Sequence, residues 1–281
     1  RLAAHFTEAG WIDEQLGGLA GLEAVRGLAA AVEHDWPSVL ARLERVRTAL
    51  LRRAAMLVNV TLGPEAHATF LPGLAALLEA LPEGGVLRPA SWERPALPLR
   101  EGFTVPSQVN YVGKAASLLR APYELHGSAL AVATYLNTTW LWEKVRAQGG
   151  AYGAHGGLDL LSGLFTYTSY RDPNVVRTLD NYDGTPQYLR GAALDDDEVT
   201  KAVIAATGRL DAYQLPAAKG FTSLTRVLTG RTDAWRQQVR DEFLGTAPAH
   251  FTAFADALEA VRRAGHVVAL GSADALQAAE A

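Results

Sequence analysis

Apolar side chains recur at three- and four-residue steps in Val39, Leu40, Leu43, Val46 and Leu50, which predicts an amphipathic helix over 37–53 with Pro37 in its first turn. Residues 56–61 carry β-branched side chains in a short run and predict a strand. Gly63-Pro64 then turns the chain, and a second helical pattern covers 70–81. From Pro82 to Pro98 the period disappears in a proline- and glycine-rich stretch, the best linker in the sequence.

Beyond it the pattern becomes denser. Loose alternation through Val105, Val109, Tyr111 and Val112 predicts a strand over 103–112, with Pro106 pointing to an edge or a strand start. Ala131, Tyr135, Thr138, Trp142 and Val145 fall on one face of a helix predicted over 127–148. By this pattern Trp140 and Trp142 are core residues. Gly149-Gly150 stops that helix, because glycine enters the left-handed region without a Cβ penalty.

Residues 158–161 and 164–170 flank Ser162-Gly163 and predict a hairpin. Asp172-Pro173 reads as the N-cap and first residue of a helix. Asp195 with Glu198 resembles a capping box at the start of helical segments that run, with breaks near Pro216 and Gly230, to about Gly245. A helix over 248–264, a strand over 267–270 and a helix capped by Ser272 complete the chain. The fold class is α+β, with residues 1–81, a linker over 82–98 and a second region over 99–281.

Composition narrows the function classes. With 281 residues and 49% apolar content the chain can build a sizeable core. A formal net charge of −4 and a pI near 6.0, with acids and bases interspersed, give no basic stripe for a phosphate backbone, so no nucleic acid is expected. The absence of cysteine removes disulfides, thiolate nucleophiles and Cys-ligated zinc together. Apolar runs such as 54–58 break long before the roughly 20 residues needed to span a bilayer, so no membrane partner is expected and the chain reads as soluble. A chain that starts at Arg1 and holds one Met reads as a piece of something larger.

Several standard sites are missing. The glycines around Tyr152 do not form G-x-G-x-x-G, Gly113-Lys114 lacks the rest of a P-loop, and no G-x-S-x-G elbow occurs. The seven histidines are scattered; His5-Phe6-Thr7-Glu8 would need a second histidine at position 9 to complete H-x-x-E-H, and position 9 is Ala. No metal site is expected within these residues.

The stretch 141–153 is different in kind. Arg146 lies in the last turn of the predicted helix and Tyr152 just past its glycine stop. An Arg there commonly just complements the helix dipole, and a Tyr after a turn is commonly half-buried packing. The functional alternative is that a fixed fork of donors and a phenolic donor converge on a developing oxyanion, while Gly149, Gly150 and Gly153 let an extended peptide approach the backbone.

Here the residues resemble a known family. Asn110-Tyr111-Val112-Gly113-Lys114, Trp140 to Arg146 with Gly149-Gly150-Ala151-Tyr152-Gly153, Ser169 to Asn174, Tyr182-Asp183-Gly184-Thr185 and Asp211 to Pro216 are similar to the C-terminal half of the presequence proteases, a branch of the pitrilysin-like inverzincins. Ala9 to Ile12 and Gln15 to Leu19 are similar to that family's third domain. The resemblance implies a pitrilysin or processing-peptidase-like domain with a mixed, largely antiparallel sheet covered by helices over 99–281, preceded by the C-terminal part of a related domain. It implies a zinc endopeptidase whose two halves close around an unstructured peptide, with the zinc held by the N-terminal half of the same protein, which is then a partner of this one.

In that setting Arg146 and Tyr152 hold the substrate carbonyl and stabilise the tetrahedral intermediate, Gly149 and Gly150 lie against the peptide, and Asn110 and Lys114 are weaker substrate-binding candidates, more readily read as strand-end structural residues. Tyr213 to Pro216 reads as a helix break. The alternative is a non-catalytic peptide-binding or partner subunit of a two-subunit protease. The fragment alone is expected to be inactive and to self-associate through uncovered apolar surface. A bacterial source implies the cytoplasm and a eukaryotic one an organelle.

Overall fold

The computed structural model describes residues 1–85 and 92–280. After a short 3-10 turn (Leu2–His5) come α1 (Glu8–Gly17), α2 (Leu19–His34), α3 (Trp36–Leu50) and α4 (Pro64–Ala80), then β1 (Arg100–Thr104), β2 (Tyr111–Ser117) and α5 (Ser128–Thr138). A π-helical turn (Trp142–Ala147) leads to β3 (Gly153–Asp159) and β4 (Leu164–Tyr170). The chain continues with α6 (Val176–Asp183), α7 (Thr185–Gly191), α8 (Asp196–Leu210), α9 (Pro216–Leu228), α10 (Asp233–Leu244) and α11 (Pro248–Ala264), and ends with β5 (His266–Gly271) and α12 (Ala273–Glu280).

These elements form two compact units that interleave along the chain: Arg1–Gly18 with Pro95–Ala212 and Asp233 onward, and Leu19–Arg94 with Tyr213–Thr232. The passage at 94/95 falls inside the stretch read as a linker, of which 86–91 lie outside the described residues. The grouping differs from a simple division at that point, because the first 18 residues fold with the later region and α9 with the earlier one.

The first unit is an α+β layer. Its sheet runs β1-β5-β2-β4-β3, with β1 and β5 parallel and the other pairs antiparallel, as the mixed, largely antiparallel expectation has it. Phe165, Tyr167 and Val112 bring one face of the sheet to a core completed by Leu136 of α5, Tyr182 of α6, and Phe251, Phe254 and Leu258 of α11, all fully buried. Alternation along β4 explains why: with side chains at period two, Phe165 and Tyr167 face the helices while Thr166, Thr168 and Tyr170 face away. On that other face Leu2 covers Gly113, and a Cβ there would sit 2.6 Å from its Cδ1. The second unit is helical among its described residues, and its apolar side chains are mostly exposed.

Several expectations are corrected. No strand forms over 56–61; a strand needs a neighbour for its N–H and C=O groups, and none exists among the described residues of that unit. The single strand expected over 103–112 is the end of β1 and the start of β2, separated at Pro106, where the donor for a ladder bond is missing. The first hairpin strand starts at Gly153 rather than 158, its glycines having hidden the alternation. Asp172 is not a helix cap: α6 begins at Val176, and the buried Asp172 carboxylate instead accepts Asn174 N–H at 2.9 Å and Thr178 Oγ1–H at 2.7 Å. Asp195 does cap α8, accepting Glu198 N–H at 2.8 Å.

The helix expected over 127–148 is interrupted at Thr139, whose backbone leaves the helical region at φ −117°, ψ −90°. Thr134, Thr138 and Thr139 all donate their hydroxyls to carbonyls of the preceding turn, a bonding pattern that bends helices. The buried positions consequently run Val132, Leu136, Leu141, Val145, with a five-residue step across the break. That step moves Trp142 off the core face, leaving it 51% exposed and correcting its reading as core. Trp140 is half-buried, stacks on Tyr188 and donates Nε1–H to Asn181 O at 2.7 Å.

Candidate active-site segment

The wide π-helical turn carries Arg146. Gln148 N–H reaches back five residues to Glu143 O at 2.8 Å, and the turn closes with Gly150 N–H on Arg146 O and Ala151 N–H on Val145 O. Single π-helical turns are uncommon and concentrate at functional sites. Lys144 engages the two polar neighbours, at 3.5 Å from Glu143 and 3.2 Å from Gln148 Oε1, while Gln148 Nε2 donates to Glu143 at 2.8 Å. Arg146 is exposed, and its guanidinium makes no ion pair or hydrogen bond with the described residues.

The glycines that follow are required by the fold itself. A Cβ on Gly149 would lie 2.4 Å from Val145 O, and Gly150 sits at φ +83° with Pro173 against it. Gly149 is buried and its carbonyl accepts Asn174 Nδ2–H at 2.6 Å, whereas Gly150 is exposed. The chain then enters the sheet: Tyr152 N–H donates to Tyr170 O at 3.0 Å, one residue ahead of the pair Gly153 and Tyr170. Tyr152 is 68% exposed, its hydroxyl bonds to no described residue, and its ring meets the ring of Tyr170 edge to face at 5.8 Å. Arg146 and Tyr152 are thus both open to solvent on one segment, anchored at Gly149 and at the start of β3.

Asn110 and Lys114 are placed differently. Asn110 is buried where it bridges Asp172, exchanging both backbone bonds at 2.7 and 2.8 Å and donating Nδ2–H to Asp172 O at 3.0 Å. Lys114 is only 6% exposed on the helix-covered face; its Nζ reaches Asp183 at 2.6 Å and Arg262 O at 3.2 Å, joining the ends of α6 and α11 to β2. Desolvating an ammonium ion is costly unless a counter-charge and hydrogen bonds accompany it, and Lys114 has both.

Residues without a role in the sequence reading also support the segment. Asn137 of α5 holds both backbone groups of Gly156, accepting its N–H at 2.6 Å and donating to its O at 2.9 Å, which blunts the edge strand β3. Asn174 fastens Gly149.

Among the described residues no group of three or more His, Asp or Glu side chains is arranged to hold a metal ion. No helix among them is long and apolar enough to cross a membrane.

The chain is 44% identical over 283 residues to Presequence protease 1, chloroplastic/mitochondrial, of Arabidopsis thaliana, covering 99% of this chain and 26% of that protein. It is 28% identical over 254 residues to the mitochondrial presequence protease of Saccharomyces cerevisiae, covering 85% of this chain and 24% of that protein. The chain therefore spans about a quarter of the length of these relatives. Among solved structures, a protease from Helicobacter pylori shares the fold, with a TM-score of 0.50 at 14% identity over 72% of this chain and 52% of that one. The family described as PreP C-terminal domain matches residues 100–273, and with that match and the identity to the Arabidopsis protein the chain belongs to the presequence protease family.

Proposed function

We propose that this chain is the C-terminal part of a zinc endopeptidase that degrades short unstructured peptides in a closed chamber, and that Arg146 and Tyr152 hold the carbonyl of the bond to be cut. The observation that carries this reading is the presence of an exposed guanidinium and an exposed phenolic hydroxyl, neither hydrogen-bonded to the described residues, on one glycine-bounded segment of a presequence protease family member. Two exposed donors on one segment, with no hydrogen-bond partner among the described residues, suit an acceptor that arrives from outside.

Chemically, the guanidinium offers a planar fork and a permanent positive charge, and the phenol offers one O–H donor. Donors fixed before reaction and aimed at the oxygen on which charge develops lower the barrier more than they strengthen ground-state binding. Gly150, exposed between the buried Gly149 and Ala151, lies between the two donors in the chain. Asn110 and Lys114 serve, in this reading, as internal supports rather than substrate contacts, since Asn110 Nδ2 and Lys114 Nζ already bond within the unit. The zinc and the nucleophile it supplies belong to another portion of the longer protein, which is this chain's partner along with the peptide. Residues 1–81 belong, on the same reading, to the C-terminal part of the preceding third domain, although the first 18 of them pack with the sheet-bearing unit. The cellular address follows the source: an organelle in a eukaryote, the cytoplasm in a bacterium.

In the longer protein, Tyr152→Phe should lower turnover of an unstructured peptide by roughly tenfold or more, the scale of one lost oxyanion donor. Arg146→Lys should also be poorly tolerated, because an ammonium ion lacks the planar fork. Unchanged kcat in a normally folded Tyr152→Phe enzyme would refute the assignment.

A further inference from the structure

Three tyrosines are linked by ring contacts at one end of the sheet. Tyr111 opens β2, Tyr170 closes β4 and Tyr152 precedes β3; Tyr170 meets Tyr111 edge to face at 5.4 Å and 71°, and Tyr152 at 5.8 Å and 72°. With Tyr170 50% exposed and Tyr152 68% exposed, burial of apolar area does not account for the arrangement. Edge-to-face contact does something else: it restricts the rotation of a ring whose tip is otherwise free.

The backbone around Tyr170 is held with matching care. Its carbonyl accepts Tyr152 N–H at 3.0 Å, and the next residue, Arg171, is a non-glycine in the left-handed region at φ +50°. Such a conformation persists only where its surroundings impose it. Here they are the two backbone bonds between Asp172 and Asn110, the buried Asp172 carboxylate with its donors from Asn174 and Thr178, and Asn174 Nδ2–H on Gly149 O. Residues 170–174 thus grip the candidate segment at both ends, at Gly149 through Asn174 and at Tyr152 through Tyr170.

We infer that Tyr170 is a positioning residue for Tyr152: wedged between Tyr111 and Tyr152, its ring fixes the direction of the Tyr152 phenol. This rests on the reading in which that phenol donates to the substrate carbonyl. The Tyr170 ring supplies the restraint, and its own hydroxyl is not needed for it.

The test uses the longer enzyme and an internally quenched unstructured peptide, with kcat and KM measured for Tyr152→Phe, Tyr170→Ala, Tyr170→Phe and the double variant Tyr152→Phe/Tyr170→Ala. Tyr170→Ala should lower kcat roughly three- to tenfold, the kinetic equivalent of one aromatic pair, with KM nearly unchanged. Tyr170→Phe should rescue most of that loss, and in the Tyr152→Phe background the Ala substitution should add little. A full additional loss in the double variant would make Tyr170 independent of Tyr152 and overturn the inference. So would a rise in KM at constant kcat, which would make it a substrate contact. If Tyr170→Ala fails to fold, Tyr170→Leu keeps the bulk without the ring edge and is read the same way. A silent Tyr170→Ala beside an impaired Tyr152→Phe would remove the positioning role alone, whereas a silent Tyr152→Phe would remove the parent reading as well.

Discussion

The sheet-bearing unit and the helical unit draw on similar apolar patterns and reach opposite outcomes. In the first, α11 places Phe251, Phe254, Leu258 and Val261 at helical spacing against the sheet, and all four are buried. In the second, α3 carries Leu40, Leu43, Val46 and Leu50 at equally regular spacing, yet Leu43 is 49% exposed and only Val39 on that helix is buried. Amphipathicity states that a helix has a face to bury; it does not supply the surface that buries it. For α11 that surface is β2 and β4, whereas the second unit contains no strand among its described residues. The proposed place of this unit within a third domain of a longer protein would give these helices the surface they lack.

The largest effect that sharpens the contrast is on stability. Phe254→Ala should cost about 3–5 kcal/mol in urea unfolding, the range for deleting a fully buried aromatic side chain, while Leu43→Ala in the isolated chain should cost well under that. Repeating Leu43→Ala in the longer protein should raise its cost toward core values. Equal costs in both settings would mean that nothing covers α3.

Next in size is association. The uncovered faces of α2, α3 and α4 should make the isolated chain self-associate, with sedimentation giving a weight-average mass that rises with concentration. Leu43→Glu should return it toward monomer. A concentration-independent monomer of the parent chain would break the contrast from the other side.

The smallest effect concerns how the first residues are held on the sheet. His5 and His266 share a hydrogen bond between their Nδ1 atoms at 2.8 Å, His5 Nε2 lies 3.2 Å from Glu101, and Arg1 pairs with Glu101 and Glu14. Burial first, and for His266 the neighbouring His5 and Arg120, hold both imidazoles below their ordinary value of 6.5. A lowered value means the unfolded chain binds more protons than the folded one in the interval between the two, so stability rises with pH there. The histidine contribution is complete above about pH 6.5 and is lost as pH falls below it toward the folded-state values. Glu101, held low chiefly by Arg1, acts with the same sign in a more acidic window, below 4.5. The melting temperature should therefore fall between pH 7 and pH 5.5, and His5→Gln should flatten that slope. An unchanged slope in His5→Gln would place the titration elsewhere.

What the sequence determined by itself was everything set by local spacing. The helix over 248–264, the strand expected over 267–270 and observed as His266–Gly271, the cap at Asp195 and the glycine stop after Arg146 all follow from periods, caps and backbone permissiveness within a few residues. The α+β class follows from their order, and Arg146 and Tyr152 stood out because they flank that stop.

Only the tertiary structure decided what depends on partners distant in sequence. Whether 56–61 becomes a strand depends on a neighbour. Whether Trp142 is buried depends on a break at Thr139 that shifts the apolar stripe by one residue. Lys114 was legible as a polar residue near a strand end, but its engagement came from Asp183 and Arg262, 69 and 148 residues away. Tyr170 stood inside a family-like motif with no role of its own, because the contacts behind its inferred role run to a strand 59 residues before it and to a segment 18 residues before it, which local pattern does not encode.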